Sequence, residues 1–317
     1  FAVGVVFGAP MFMLGDMTTG SLVAASILAS RMMAPMSQLT HVLTRWQQAK
    51  VALESMHRIM QLPVDQAEGS KRVHLPVISG NYEFNQAAFK YSEDAKLPAL
   101  TVKALKIKPG ERIAVLGRNG AGKSTLLQAM AGMIDLSSGA LTLDGVGLSH
   151  IDPADVRRDV GLLTQNSRLF HGTLRENLML GAPHASDQEI LEALELTGAM
   201  EFISKFALGM DHMILEGGLG LSGGQRQSLL LSRLMIRQPQ IVLLDEPTAS
   251  MDDITERKLI QSLGQWGAQR TLIIATHRMS VLSLVDRIIV VDNGLVVIDD
   301  TKDNAIARLS KPRNQAQ

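Results

Sequence analysis

The sequence predicts an α/β domain built on a parallel sheet, preceded by an all-α segment. Three observations carry this. Short apolar, β-prone runs at Ile113–Leu116, Ile241–Leu244, Leu272–Ala275 and Ile288–Val291 alternate with helical patterns. Such runs fit parallel strands covered by helices on both faces. A glycine-rich loop at 117–124 joins one of these strands to a helix. The first sixty or so residues instead carry apolar residues near helical spacing.

Composition narrows the function classes. The 317 residues include 31 basic and 31 acidic side chains. That balance leaves no net-basic footprint for nucleic acid and no acidic disordered tail. Hydrophobic residues make up 46%, enough for a well-buried core. With no cysteine, disulfides and thiolate metal sites are excluded.

Residues 1–30 hold a single charge, Asp16, in a turn (15–20) between apolar stretches 1–14 and 21–30. Each stretch is shorter than the ~20 apolar residues of a spanning helix. The chain begins at Phe1 inside an apolar run and reads as a fragment of a longer protein. Arg31, Arg45, Lys50 and Arg58 follow, which marks this side as cytoplasmic. Met36, Leu39, Leu43, Trp46 and 51–59 continue the helical spacing until Pro63 stops it. Residues 1–62 therefore read as the end of a transmembrane domain and one long helix leaving the membrane. A soluble helical hairpin with an apolar face is the alternative. Residues 63–80, with Pro63, Pro76 and Gly80, read as a linker.

The loop Gly117-Arg118-Asn119-Gly120-Ala121-Gly122-Lys123-Ser124-Thr125 fits G-x-x-x-x-G-K-[ST] and lies between a strand and a helix, the context the motif needs. Backbone N–H groups of such a loop curl around an anion, and the helix N-terminus adds partial positive charge. Lys123 would reach the β- and γ-phosphates and the Ser124 hydroxyl would hold Mg²⁺. The strand 241–244 ends in Asp245-Glu246. Strand ends of this kind face the ligand crevice of an open α/β sheet. Asp245 is placed to bind Mg²⁺ and Glu246 to orient or deprotonate an attacking water. An Asp-Glu pair alone is usually a solvated strand end; the phosphate loop gives this one its meaning.

Leu221-Ser222-Gly223-Gly224-Gln225 lies between loop and acidic pair and opens a helix to about 236. With these three motifs in order, residues 81 to about 310 resemble the ATP-binding cassette (ABC) ATPases. The resemblance implies a P-loop, RecA-like α/β domain with an antiparallel β subdomain and an α-helical subdomain at about 166–233, with 311–317 as a tail. It implies ATP and Mg²⁺ as ligands and a homodimer in which Ser222, Gly223, Gly224 and Gln225 of one chain dock on ATP held by the other. Tyr91 resembles the adenine-stacking residue, Gln165 the glutamine that senses Mg²⁺ and contacts the membrane domain, Asp252 the D-loop aspartate, and His277 the switch histidine near the γ-phosphate. Glu246, His277, Lys123 and Gln165 thus stand as catalytic candidates. Ser124, Gln165 and Asp245 stand as metal ligands. The remaining nucleotide contacts would come from Gly117, Asn119, Gly120, Ala121, Gly122 and Thr125. The seven other histidines lack metal-ligand spacing.

The block 169–177, Leu-Phe-His-Gly-Thr-Leu-Arg-Glu-Asn, is similar to one found in exporters whose membrane and ATPase domains share a chain. Segments 25–35, 44–49 and 149–158 resemble type I secretion transporters of large repeat-in-toxin proteins. This implies a multi-pass protein of the bacterial inner membrane, with upstream helices and a peptidase-like domain beyond this sequence. It implies as partners a periplasmic adaptor, an outer-membrane channel and a protein cargo. An exporter of lipid, drug or peptide stays open, as does a soluble non-transport ABC ATPase. Two positions depart from the family pattern: 249–252 reads Ala-Ser-Met-Asp rather than Ser-Ala-Leu-Asp, and Met213 stands where Glu or Gln is usual. Arg31 reads either as lining an export path or as snorkelling to the headgroups.

Overall fold

The computed structural model describes residues 2–15, 18–62, 64, 72–92 and 94–310. Asp16, Pro63, residues 65–71 of the expected linker and the 311–317 tail lie outside the described residues. The chain divides into two compact units, 1–70 and 71–317.

The first unit holds helices α1 (Ala2–Met13) and α2 (Thr19–Met60). Thr18 caps α2 by accepting the Ser21 N–H at 3.3 Å. The two helices meet at Gly8, where a Cβ would lie 2.3 Å from Leu22 Cδ1. Helicity is as expected, but no helix of the described residues is long and apolar enough to cross a membrane. The reason is a split of properties: α1 is apolar but has 12 residues, and α2 has 42 residues but carries Arg31, Arg45, Lys50, Glu54 and Arg58. Arg31 is exposed on α2.

The second unit contains strands β1 (Tyr82–Phe89), β2 (Leu100–Ile107) and β3 (Arg112–Leu116), helix α3 (Lys123–Met130), strands β4 (Leu136–Leu143) and β5 (Val146–Gly147), helix α4 (Pro153–Asp159) and strands β6 (Val160–Leu163) and β7 (Gly172–Thr173). Helices α5 (Leu174–Met179), α6 (Asp187–Leu196) and α7 (Met200–Ile203), strand β8 (Met213–Ile214) and helix α8 (Gly223–Ile236) form the helical part. Strand β9 (Ile241–Asp245), helix α9 (Asp253–Trp266), strands β10 (Thr271–Ala275), β11 (Arg287–Asp292) and β12 (Leu295–Thr301), and helix α10 (Lys302–Ser310) complete it.

Ten strands form one sheet in the order β5-β4-β1-β2-β12-β11-β3-β10-β9-β6. Strands β11, β3, β10, β9 and β6 are mutually parallel, and β5, β4, β1 and β2 are antiparallel. The two halves are joined where β12 meets β2 at the single pair Leu295–Thr101. Because successive strand side chains point to opposite faces, one apolar run feeds two cores. In β10, Leu272 and Ile274 enter the core shared with α8 and α9, while Ile273 and Ala275 enter the core shared with β1, β2 and α3. The β9 pairs Val242/Leu244 and Ile241/Leu243 divide the same way. This two-sided burial is why the runs read as continuous rather than alternating.

Residues 72–80, expected as linker, are instead fastened to this domain. Val73 bridges to Ile151, and Ile78 is fully buried. Asp155 accepts the Leu75 N–H at 2.9 Å and lies 2.6 Å from His74 Nδ1. The Asp144 carboxylate accepts the N–H groups of Ser79, Gly80 and Asn81 at 2.7, 3.2 and 2.8 Å. Backbone groups lacking a strand partner are thus satisfied by side chains, a pairing that local composition does not reveal.

Candidate functional site

The register of the parallel strands brings the motifs to one edge. Ala275 lies beside Asp245 and Val115, and Leu163 lies beside Leu244. Since all four strands run the same way, the segments leaving their C-terminal ends are neighbours. Those segments are the loop from Gly117, Gln165 just beyond β6, Asp245-Glu246, and Thr276-His277. Ligands of open α/β sheets bind at such an edge.

The loop 117–122 wraps onto the start of α3. Gly122 takes φ +109° as the α3 cap, a conformation that Cβ-bearing residues avoid. Gly117 passes so close to β11 that a Cβ would lie 2.2 Å from the Val291 carbonyl oxygen. Asn119 and Gly120 are exposed at the tip, while Ala121 and Thr125 are buried. Lys123, only 7% exposed, donates to the carbonyls of Gly117 at 3.0 Å and Arg118 at 3.2 Å. A buried ammonium aimed at its own loop is poised for an anion in the same space.

Asp245 is buried, and burial pushes its carboxyl above the usual carboxylate range. The Ser124 hydroxyl opposes that rise by hydrogen bonding to it, the Glu246 charge adds to the rise, and Lys123 opposes it. Ser124 and Asp245, the two expected metal ligands on α3 and β9, are therefore near enough for the hydroxyl to act on the carboxyl. Hard oxygen donors of this kind suit Mg²⁺. Among the described residues no group of three His, Cys, Asp or Glu side chains could hold a metal. A cation at Ser124 and Asp245 would complete its shell with phosphate oxygens and water.

Glu246 is the least ordinary residue of the edge. Its backbone sits at φ +51°, the left-handed region that a non-glycine residue rarely occupies. Its N–H donates to the Ala275 carbonyl at 2.8 Å, so the strained turn is tied to β10. One carboxylate oxygen lies 2.8 Å from His277 Nδ1, and the other accepts the Thr276 hydroxyl at 3.4 Å. The carboxylate is about one-tenth exposed and the imidazole mostly exposed. The pair thus presents a buried acceptor beside an open ring.

Tyr91 is exposed, yet its hydroxyl is fixed: it lies 2.9 Å from Thr125 Oγ1 and donates to Gln128 Oε1 at 3.3 Å. That places an aromatic ring against the helix that begins at the phosphate loop. Gln165 is exposed beyond β6.

Ser222 caps α8 in a reciprocal box. Its Oγ accepts the Gln225 N–H at 3.2 Å, and Gln225 Oε1 accepts the Ser222 N–H at 2.9 Å. The long helix therefore opens with an exposed serine and glycine. Gly223 and Gly224 rest on the 249–251 loop: a Cβ on Gly223 would lie 2.9 Å from Ser250 Cβ, and one on Gly224 3.2 Å from the Ser250 carbonyl oxygen. Met251 anchors that loop in the core. Asp252, expected at the nucleotide, is engaged as the α9 cap, accepting the N–H groups of Ile254 and Thr255, both at 3.0 Å. Hydrogen bonds from the Thr255 backbone and hydroxyl hold its carboxyl below the usual range. An Asp directly before Asp253-Ile254-Thr255 carries a helix-start signal on its own.

Two groups near the edge were not anticipated, Arg278 and Glu256. Arg278 Nη1 pairs with Glu256 Oε2 at 2.8 Å, and Nη2 donates to Ala249 O at 3.2 Å and Met251 O at 3.5 Å. An Arg directly after His277 was the available signal; Glu256, inside a helix, gave none.

Residues 100–249 match the family described as ABC transporter. The chain carries an ABC transporter domain. It is 33% identical over 301 residues to the alpha-hemolysin translocation ATP-binding protein HlyB of Escherichia coli O157:H7, covering 95% of this chain and 42% of that protein. It is 36% identical over 296 residues to the cyclolysin secretion/processing ATP-binding protein CyaB of Bordetella pertussis, covering 93% of this chain and 41% of that protein. A solved structure of a bacterial Atm1-family ABC exporter with ATP bound superposes with a TM-score of 0.77 at 27% identity, over 92% of this chain and 51% of that one. The chain thus spans about two-fifths of the length of these curated relatives. ATP is the ligand of an ABC domain.

Proposed function

We propose that this chain is the ATP-hydrolysing part of a bacterial ABC exporter that secretes a large protein by the type I route. The similarity to the two toxin-translocating proteins carries the reading. Its 301 aligned residues exceed what residues 71–317 alone could supply, so it extends into the α1–α2 unit and is not shared cassette sequence only. The protein would sit in the inner membrane with this domain on the cytoplasmic side. Its partners would be a second copy, a periplasmic adaptor, an outer-membrane channel and the cargo.

The chemistry follows from the edge. Loop 117–122, Lys123 and the α3 start bind the ATP phosphates, and the Tyr91 ring takes the adenine. Ser124 and Asp245, with Gln165 completing the set, would hold Mg²⁺, which when bound neutralises phosphate charge. Glu246 accepts a proton from a water whose oxygen attacks the γ-phosphorus. The bond from that phosphorus to the β–γ bridging oxygen breaks, and ADP leaves with the electron pair as inorganic phosphate forms. His277 orients Glu246 and faces the γ-phosphate. Ser222, Gly223 and Gly224 of a second copy close the site, since they open a helix whose exposed start is free to meet an anion. Opening and closing of this pair moves the membrane helices through Gln165.

The test is Glu246→Gln in the full-length gene. ATP should still bind, hydrolysis should stop, and one large repeat-rich protein should vanish from the culture medium. Continued hydrolysis would remove Glu246 from its role. Lost hydrolysis with an unchanged secreted proteome would overturn the protein cargo. It would favour a lipid, drug or peptide exporter.

A further inference from the structure

The 249–251 loop is the floor on which the signature glycines rest, and one side chain holds that floor. Arg278 follows His277 directly and places its three-pronged guanidinium between α9 and the loop. Nη1 takes Glu256, while Nη2 takes the carbonyls of Ala249 and Met251. Glu256 is itself buried and accepts the Ser280 hydroxyl at 2.9 Å, so both carboxylate oxygens are committed. The Arg278 N–H donates to Thr276 Oγ1, and that hydroxyl donates to Glu246. A continuous set of polar contacts therefore runs from Glu246 and His277, through Thr276 and Arg278, to the backbone of 249–251. Ser250, the middle residue of that stretch, lies against Gly223 too closely to admit a Cβ and packs tightly on Gly224, where a Cβ would lie 3.2 Å from its carbonyl oxygen.

We propose that Arg278 is a positioning residue that couples the two ends of this path. It sets the height of the 249–251 loop, and hence of the α8 start, according to the state of the Glu246–His277 pair. The proposal rests on the reading that two copies close over ATP. In that dimer the first end reports on the chain's own ATP and the second end faces the ATP of the other copy. Arg278 would thus tell each signature helix whether its own chain's site is filled. A guanidinium suits this because its donors have fixed angles, so that carboxylate and carbonyls cannot move independently. A lysine ammonium would satisfy the charge and release the geometry.

The experiment uses the full-length protein in the Glu246→Gln background, in which ATP should stay trapped in the closed dimer. Radiolabelled ATP retained after rapid gel filtration is compared with and without Arg278→Gln. The trapped fraction should fall about tenfold, in line with the size of coupling effects at positions touching neither ligand. Affinity for a fluorescent ATP analogue without Mg²⁺ should stay within about twofold of the parent, while the thermal midpoint without nucleotide falls by several degrees, because buried Glu256 loses its cation. Equal retention in both proteins would overturn the proposal. So would a parallel loss of retention and of Mg²⁺-free affinity, which marks a merely structural Arg278. If Arg278→Gln does not fold, Arg278→Lys keeps the charge beside Glu256 and is read by the same three measurements. No trapped ATP in Glu246→Gln alone would instead sink the two-copy reading beneath it.

Discussion

Replacing Glu246 by glycine should leave the domain more stable than replacing it by alanine, the reverse of the usual order. Both changes delete the carboxylate and its contacts to His277 and Thr276, so those losses cancel in the comparison. What remains is the backbone at φ +51°. A left-handed conformation costs a residue with a Cβ about 1–2 kcal/mol. Glycine escapes that cost but loses about 0.5–1 kcal/mol more conformational freedom on folding. The balance favours glycine by about 0.75 kcal/mol at mid-range, and by about 0–1.5 kcal/mol across the two ranges. For a domain the size of unit 71–317, the mid-range value is about 2–3 °C in thermal midpoint. The assay is thermal unfolding of both variants, without nucleotide, in one buffer. An alanine variant as stable as the glycine variant, or more so, would refute the claim that strain is held at this residue. Both variants should lose hydrolysis by about 10²–10⁴-fold, the worth of a positioned general base.

Further expectations follow from contacts at and around the edge. Burial raises the Asp245 pKa, so between the ordinary carboxylate value and the raised one the native state holds more protons than the unfolded state. Stability attributable to Asp245 therefore falls as pH rises through that window and stays low above it. Asp245→Asn should then be more stable than the parent at neutral pH without nucleotide, with the gap closing in acid; thermal midpoints that track in parallel across pH would contradict this. Gly117→Ala should cost about 1–3 kcal/mol and weaken ATP binding, because its Cβ meets a backbone oxygen that cannot swing away; an unchanged urea midpoint would count against the close approach. Arg233 donates to Asn177 O, Asn177 Oδ1 and Arg168 O, so Arg233→Met should cost about 2–3 kcal/mol. Its amide exchange should quicken over 168–178 before the sheet is affected. Tyr91→Phe should weaken ATP binding about fivefold by freeing the ring, the loss of the hydroxyl's contacts to Thr125 and Gln128 being worth about 1 kcal/mol or more; isothermal titration reads the difference.

The chemistry of the edge was legible because it depends on residue types at short spacing. A strand, a glycine-rich loop and Lys123-Ser124 are neighbours in sequence, as are Asp245 and Glu246. Their convergence follows from parallel topology, which the alternation of apolar runs and helices already implies. Three features could not be read, each for its own reason. The left-handed Glu246 has no marker, since glycine or asparagine would be the usual sign and neither is present. The attachment of residues 72–80 depends on Asp144 and Asp155, some 65 and 80 residues away. The Arg278–Glu256 pair spans 22 residues across a loop and a helix that meet only when α9 packs beside the loop that follows β10. Asp252 is a different case: a helix-start signal and a family role fell on one residue, and the cap is the one its hydrogen bonds serve.

The unfavourable features of the domain gather where phosphate would bind. Lys123 is a buried cation whose hydrogen bonds go to neutral carbonyls. Asp245 is a buried carboxylate raised by its surroundings, and Glu246 occupies a strained backbone beside it. Isolated, each lowers stability. Together they form opposite halves of a missing partner: an anion between Lys123 and the α3 start, and a cation between that anion and Asp245. Neither ion alone satisfies both sides, because an anion at Lys123 without a cation adds to the repulsion at Asp245. Stabilisation by ATP and Mg²⁺ together should therefore exceed the sum of their separate effects, since each reduces the cost of binding the other. Thermal midpoints with ATP and chelator, with Mg²⁺ alone, and with both decide this directly. Simple additivity would mean that the phosphate loop and the acidic strand end act as two independent sites rather than one.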